Sequence, residues 1–288
     1  ACIAAGEQWG LSSAQVAKGI VVGIEVMCRL GLIADKRVHK AGFHPTGVIG
    51  AMAAAAGVAA AQGLDARQIR DTLGVAGSMA AGIIEYLADG SSTKRLHAGW
   101  NAQCGLRAAA MGAAGFTGPV TVFEGTHGFF HGFANSTEND FAPLLEGLGE
   151  RWEAARLAFK PYACGTMTQP YIDCAVELKR RGVEPDAVST ILCEVGEGTV
   201  HRLWEPLAVK QAPPTPYAAK FSGPYTVAAG LVFGDAGLAE FTPEALADPR
   251  VQALAAKVDF VIDPDNEYPA NYTGHVRATL ADGRVEEA

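Results

Sequence analysis

From residue 1 to about 158 the apolar positions recur at helical spacing, punctuated by residues that start and stop helices. Ser12 or Ser13 supplies an N-cap for a helix running toward Leu30, with Gly31 as its end. A second helix is predicted from His44-Pro45-Thr46 to Gly63, since proline suits the first helical position, where its missing N–H is not needed. Asp65 caps a third that reaches about Met79, and a fourth follows Ser91-Ser92-Thr93 and runs to about Gly112. Alanine fills positions 53–56, 59–61 and 108–110. Helices so rich in small residues bury little area each but approach neighbours closely, which predicts the inside of a bundle.

After Lys160 the period changes. Alternating or β-branched runs at 187–195 and 258–262 predict strands, and 275–280, the Asp282-Gly283 turn and the residues from Arg284 onward predict a hairpin. Helices are predicted over 169–181 and over 217–233, the latter after the breaker Pro213-Pro214-Thr215-Pro216. The chain therefore reads as mainly α with an α+β second domain: a helical domain over 1–158 and a smaller α+β domain over 159–288. No internal repeat or low-complexity linker is visible.

Composition agrees with a globular fold: 49% of the 288 residues are apolar and 19% charged. A net charge of -8 argues against nucleic acid as a partner, because phosphate binding needs a basic surface. It leaves room for a local basic pocket and an anionic substrate. Cysteines at 2, 28, 104, 164, 174 and 193 form no CxxC pair and sit beside no histidine cluster at zinc spacing, so they read as free thiols in a reducing, cytoplasmic compartment. The longest apolar run, 48–62, is mostly alanine and glycine and too short to span a bilayer, which predicts no membrane association.

Two segments carry candidate chemistry. Gly42-Phe43-His44-Pro45-Thr46-Gly47 places a histidine at the start of an alanine-rich helix, where free N–H groups and the positive end of the helix dipole favour an anion. A histidine that merely caps its helix explains the same pattern. Asp89-Gly90-Ser91-Ser92-Thr93-Lys94-Arg95-Leu96-His97-Ala98-Gly99 opens with an Asp-Gly turn and then puts Lys94 and His97 one turn apart on one helix face. Basic residues oppose the dipole there. A bound polyanion removes the conflict, since each charge-assisted hydrogen bond contributes about 1.5–3 kcal/mol; a solvated basic turn is the plainer alternative. His127 and His131 are four apart but lie among glycines that argue against a metal site. His201 and Arg202, after a predicted strand, and Lys160 and Tyr162 are further candidates for a cleft between the domains. No GxGxxG, P-loop or GxSxG pattern occurs.

Taken in order, Gly42-Phe43-His44-Pro45-Thr46, Gly63-Leu64-Asp65, the 89–99 segment, Gly115-Phe116-Thr117-Gly118-Pro119, Phe123-Glu124-Gly125 with Gly128-Phe129-Phe130, Lys160-Pro161-Tyr162-Ala163-Cys164 and Ala219-Lys220-Phe221-Ser222 resemble the MmgE/PrpD family. Thr93-Lys94-Arg95-Leu96-His97-Ala98-Gly99 is the specific part. The resemblance implies an all-helical large domain, a smaller α+β lid, a cleft between them that holds the active site, a homodimer, and neither metal nor organic cofactor. It implies a lyase that dehydrates a 2-methylcitrate-like polycarboxylate by proton abstraction and elimination. Decarboxylation or epimerisation of cis-aconitate- or iminodisuccinate-type substrates, or an inactive polycarboxylate-binding homologue, are the alternatives.

His44 and Lys94 match family active-site positions and are the expected catalytic residues; Thr93, His97, Gln169 and His201 are the expected substrate-binding ones. Lys94 would hold a carboxylate while His44 moves the proton, and Arg95 points elsewhere around the helix. Where many relatives have histidine, this chain has Gln169, which hydrogen-bonds but cannot transfer a proton; His201 is the expected substitute. The resemblance also implies a segment with Asp and His upstream of Ala1, and helices that return to the first domain after the lid, so the chain is expected to be a fragment of a longer protein.

Overall fold

The computed structural model describes residues 1–89 and 91–288, and its contacts divide the chain into two compact units, Ala1–Ala158 and Phe159–Ala288. The first unit is helical and the second is α+β.

Among the described residues, five helices of eight residues or more build the first unit: Cys2–Trp9, Ser13–Ala34, Pro45–Gln62, Ala66–Met79 and Thr93–Ala113. Two begin with capping boxes. Ser12 exchanges hydrogen bonds with Gln15, and Asp65 with Gln68, so each cap side chain serves a first-turn N–H and is served in return. The first of these does not stop at Gly31 as expected but continues to Ala34. The added turn buries Ile33 and Ala34, and their burial outweighs the roughly 1 kcal/mol helix penalty of one glycine. The Pro45–Gln62 helix ends where expected, with Gly63 in the left-handed region at φ 71. At 18 residues it is also long and apolar enough to cross a membrane, which the run counted from Val48 was not. Yet 67% of it is buried inside the protein, and a central core helix requires the same apolarity.

The Pro45–Gln62 helix packs between Ser13–Ala34 and Thr93–Ala113. Its alanines are explained by that position. A Cβ added at Gly105 would lie 2.5 Å from the Ala54 Cβ and 2.6 Å from the Ala54 carbonyl carbon. Gly105→Ala ordinarily stabilises an exposed helix by about 0.5–1 kcal/mol. Here it is expected to destabilise by about 1–3 kcal/mol, because the methyl overpacks a backbone contact, and the urea midpoint should fall rather than rise.

The unit is not helical throughout to residue 158. After Ala113 it consists of turns with short helices at Phe129–Ala134 and Ala142–Leu145 and a 3-10 turn at Glu153–Arg156. Gly115, Gly118, Pro119, Gly125 and Gly128 break any longer helix. This segment is held in two ways. Phe129, Phe130 and Ala134 enter the core, with Phe133 and Phe141 against them. Arg29, buried in the Ser13–Ala34 helix, donates to the carbonyl oxygens of Pro143, Leu144, Glu146 and Arg151 at 2.9–3.3 Å and pairs with Glu25 at 2.6 Å.

In the second unit β1 (Val188–Val195), β2 (Val258–Ile262), β3 (His275–Leu280) and β4 (Val285–Glu287) form one sheet in the order β2-β1-β3-β4. β1 and β2 are parallel; β1–β3 and β3–β4 are antiparallel, the latter a hairpin closed by Leu280 and Arg284. The Gln169–Arg180 helix packs on β3 and on the Gly223–Phe233 helix, which is buried on nearly all sides. The single helix expected over 217–233 is broken into Pro216–Ala219 and Gly223–Phe233. Ser222 caps the second piece by accepting from the Tyr225 N–H at 3.0 Å, and Pro224 has no N–H to continue the first.

Candidate active site

The site lies in the first unit, where a short extended strip meets two helix starts. Phe43 forms an antiparallel bridge with Ile83; the His44 N–H donates to the Gly82 carbonyl at 2.8 Å and the Ile84 N–H to the Gly42 carbonyl at 3.0 Å. Phe43 anchors the strip edge-on against Phe133, with centroids 5.0 Å apart. His44 is thereby held at the N-cap of the Pro45–Gln62 helix with extended backbone, and its side chain makes no cap hydrogen bond. Capping therefore does not account for this histidine.

The imidazole is turned instead to its neighbour. His44 Nδ1 lies 3.0 Å from His97 Nδ1. Tyr86, buried, meets both rings edge-on at centroid distances of 5.8 Å, and Lys94 Nζ stands 5.6 Å from the Tyr86 ring centre. His97 is 6% exposed. Its ring lies against Gly82, whose φ is +136, and a Cβ there would come within 3.2 Å of three ring atoms. One turn beyond His97, Asn101 donates from Nδ2 to the Thr46 carbonyl at 2.6 Å, tying the two helices just below the imidazoles. A cavity of about 570 Å³ opens beside them, lined by Gly82, Tyr86, Thr93, His97 and Trp100 among others.

Burial first, and then the charge of Lys94, pull His44 down to about 4, with smaller contributions from His97 and His39. Burial and Lys94 lower His97 in the same order, and burial raises the Tyr86 phenol. At neutral pH the imidazoles are uncharged and the positive charge resides on Lys94, an arrangement suited to an anionic ligand and a neutral base. Lys94→Met is expected to move the His44 pKa upward from about 4, because a repelling cation is lost while burial persists. Titration of histidine-selective ¹⁵N spectra reads this directly; an unchanged or lower value would exclude electrostatic contact between positions 94 and 44.

Thus His44, Lys94 and His97 come together, and Thr93 lines the cavity beside His97 with its Oγ1 3.4 Å from the Ser91 Oγ. Of the caps expected from the Ser-Ser-Thr run, Ser92 occupies the N-cap without a side-chain cap bond. Gly90, and with it the expected Asp-Gly turn, lies outside the described residues. Arg95 is exposed. Gln169 and His201 belong to the second unit. Gln169 opens the Gln169–Arg180 helix and is buried, and its Nε2 has no hydrogen-bond partner among the described residues, a donor that a carboxylate would satisfy. His201 is exposed in the short Val200–Leu203 helix.

Lys160 is exposed, whereas the Tyr162 hydroxyl donates to Asp173 at 2.5 Å. His127 and His131 stack edge-on at 6.2 Å, and no group of three metal-ligating side chains occurs among the described residues. All six cysteines are free. Sequence reasoning missed Tyr86 and Asn101. Asn101 follows His97 by four residues and so shares its helix face, a signal that was available; no pattern marks Tyr86.

The MmgE/PrpD N-terminal domain matches residues 1–142, and the MmgE/PrpD C-terminal domain matches residues 162–288. The chain is similar to the cis-aconitate decarboxylase of Mus musculus, with 28% identity over 267 residues, 91% of this chain and 54% of that protein. It is also similar to a cis-aconitate decarboxylase of Aspergillus terreus strain NIH 2624, with 26% identity over 290 residues, 95% of this chain and 58% of that one. A cis-aconitate decarboxylase-like protein of Aspergillus oryzae is 26% identical over 282 residues, covering 93% and 58% of the two chains. The chain thus spans little more than half the length of the curated relatives it matches.

Proposed function

The chain belongs to the MmgE/PrpD family, and from that premise we propose that it is a lyase acting on a small polycarboxylate through a carbanion-like centre beside a carboxylate. The observation that carries the reading is the bridge between two neutral imidazoles near the Lys94 cation, with His97 and Thr93 lining an open cavity. In a decarboxylation the C–C bond to the departing carboxylate breaks, CO₂ leaves, and the electron pair left on carbon takes a proton from an imidazole N–H. In a dehydration an imidazole removes the C–H, the pair forms the double bond, and hydroxide leaves with a proton. Lys94, with Thr93 beside it, holds a remaining carboxylate and stabilises the charge that builds on it.

The names of the mouse and Aspergillus relatives favour loss of CO₂ from cis-aconitate over loss of water from 2-methylcitrate. Product analysis by NMR in deuterated water separates the two, and separates both from epimerisation, which exchanges the C–H with no loss of CO₂ or water. Conversion of cis-aconitate by the chain, abolished in Lys94→Ala, is the expected result. Tight binding of tricarboxylates with no conversion of either substrate would replace the lyase reading by that of an inactive binding homologue.

A further inference from the structure

The two imidazoles meet through the same ring atom. Nδ1 to Nδ1 at 3.0 Å is a hydrogen-bond distance, and one nitrogen must donate while the other accepts. Two Nδ1–H groups would face each other proton to proton, and two bare Nδ1 atoms would face each other lone pair to lone pair. The neutral pair therefore holds one proton between its facing atoms, which forces opposite tautomers on the rings. The ring that donates through Nδ1 has a bare Nε2, and the ring that accepts carries its proton on Nε2.

We propose that His97 is the proton-relay partner of His44: a proton taken up at the Nε2 of one ring is matched by transfer across the Nδ1 bridge and release from the Nε2 of the other. The inference rests on the lyase reading for its purpose and on the geometry alone for its existence. The bonds balance without any external donor. One N–H forms at the receiving Nε2, the shared proton changes sides, and one N–H breaks at the far Nε2, so the pair ends neutral with its tautomers exchanged. A base and an acid are thereby always present together, as both elimination and decarboxylation with reprotonation require.

The surroundings suit this task. Gly82 lies flat against the His97 ring, Tyr86 is edge-on to both rings, and Asn101 ties down the helix that carries His97, so the bridge is held from several sides. Lys94 is the cation facing the pair, with His39 contributing a smaller repulsion at His44; both keep a second proton off the bridge. Its Nδ1 being occupied, His97 has only Nε2 left for other contacts.

The test uses the whole chain labelled with ¹⁵N-histidine. At pH 7 the expected long-range spectrum shows a scalar coupling between two Nδ1 nuclei and two rings in opposite tautomeric forms, both signatures disappearing in His97→Asn. Two identical Nε2–H tautomers without coupling would overturn the proposal. Asparagine keeps a hydrogen-bonding group near the Nδ1 position but cannot pass a proton through. With an unchanged melting temperature, His97→Asn is expected to lower kcat by about 100-fold or more with little change in KM. A wild-type kcat in that variant would reduce His97 to a support and sink the relay. Coupling in a wild-type chain that converts neither cis-aconitate nor 2-methylcitrate would establish the bridge and remove the lyase reading alone.

Discussion

If the chain is the lyase proposed above, His44→Ala is expected to slow its turnover by about 10²–10⁴-fold, the contribution typical of a positioned acid or base. The loss should come without unfolding. The His44 side chain caps nothing, is partly buried, and touches mainly His97 and Tyr86. Its backbone bonds to Gly82 and Val48 survive the substitution. Steady-state kinetics with a melting curve on the same sample separate the effects: a fall in kcat at constant melting temperature assigns His44 to the chemistry. A rate within threefold of wild type would remove it from the mechanism.

The largest stability effect is expected at Arg29, whose bonds reach none of the site residues. Arg29→Ala leaves Glu25 buried, 3% exposed, with no cation, and leaves four carbonyl oxygens of the 143–151 segment without their donor. Breaking a buried pair on one side costs about 3–5 kcal/mol, which urea unfolding of the first unit would show as a clearly earlier transition. A shift below about 1 kcal/mol would mean that water replaces the guanidinium, and would refute the burial argument.

Acid should narrow the gap. Burial raises the Glu25 pKa, but the bond to Arg29, the Ala154 amide and the Arg29 charge together overcome it and set the carboxyl below its ordinary range. A depressed folded pKa stabilises the fold above the unfolded value, near 4.3, and that stability is lost as pH falls through the folded one. Without Arg29 the Glu25 pKa rises and the carboxyl is neutralised at higher pH. The difference between wild type and variant is therefore greatest at neutral pH and shrinks on acidification. Glu25→Leu combined with Arg29→Met should restore only part of the loss, because the carbonyls still lack a donor.

Where local chemistry decides an element, the sequence carried it. Pro45, Gly63 and Asp65 mark helix ends through their own backbone and side-chain preferences, and the ends fall at those residues. Where tertiary burial decides, it did not. Gly31 lies inside its helix because Ile33 and Ala34 are needed in the core. The 217–233 stretch breaks at Ser222-Gly223-Pro224, a start signal embedded in an otherwise helical pattern. The same division runs through the site. Lys94 and His97 drew attention because basic residues at a helix start oppose the dipole, and one turn of spacing brings them to one face. That His97 reaches the ring of His44, and that Tyr86 closes over both, depends on the path of residues 80–86, which no local signal specifies.

The seam at Gly105 bears on how the protein can vary. Along a helix rising 1.5 Å per residue, Gly105 lies about 12 Å from His97. There, main chain rests against main chain and sets the gap between the helices that carry the two imidazoles. Hydrogen bonding decays steeply once its partners part by a few tenths of an ångström. Descendants of this chain can therefore exchange polar surface residues freely but have little room to enlarge the seam: one methyl group two turns away sets the tolerance for a bridge it never touches.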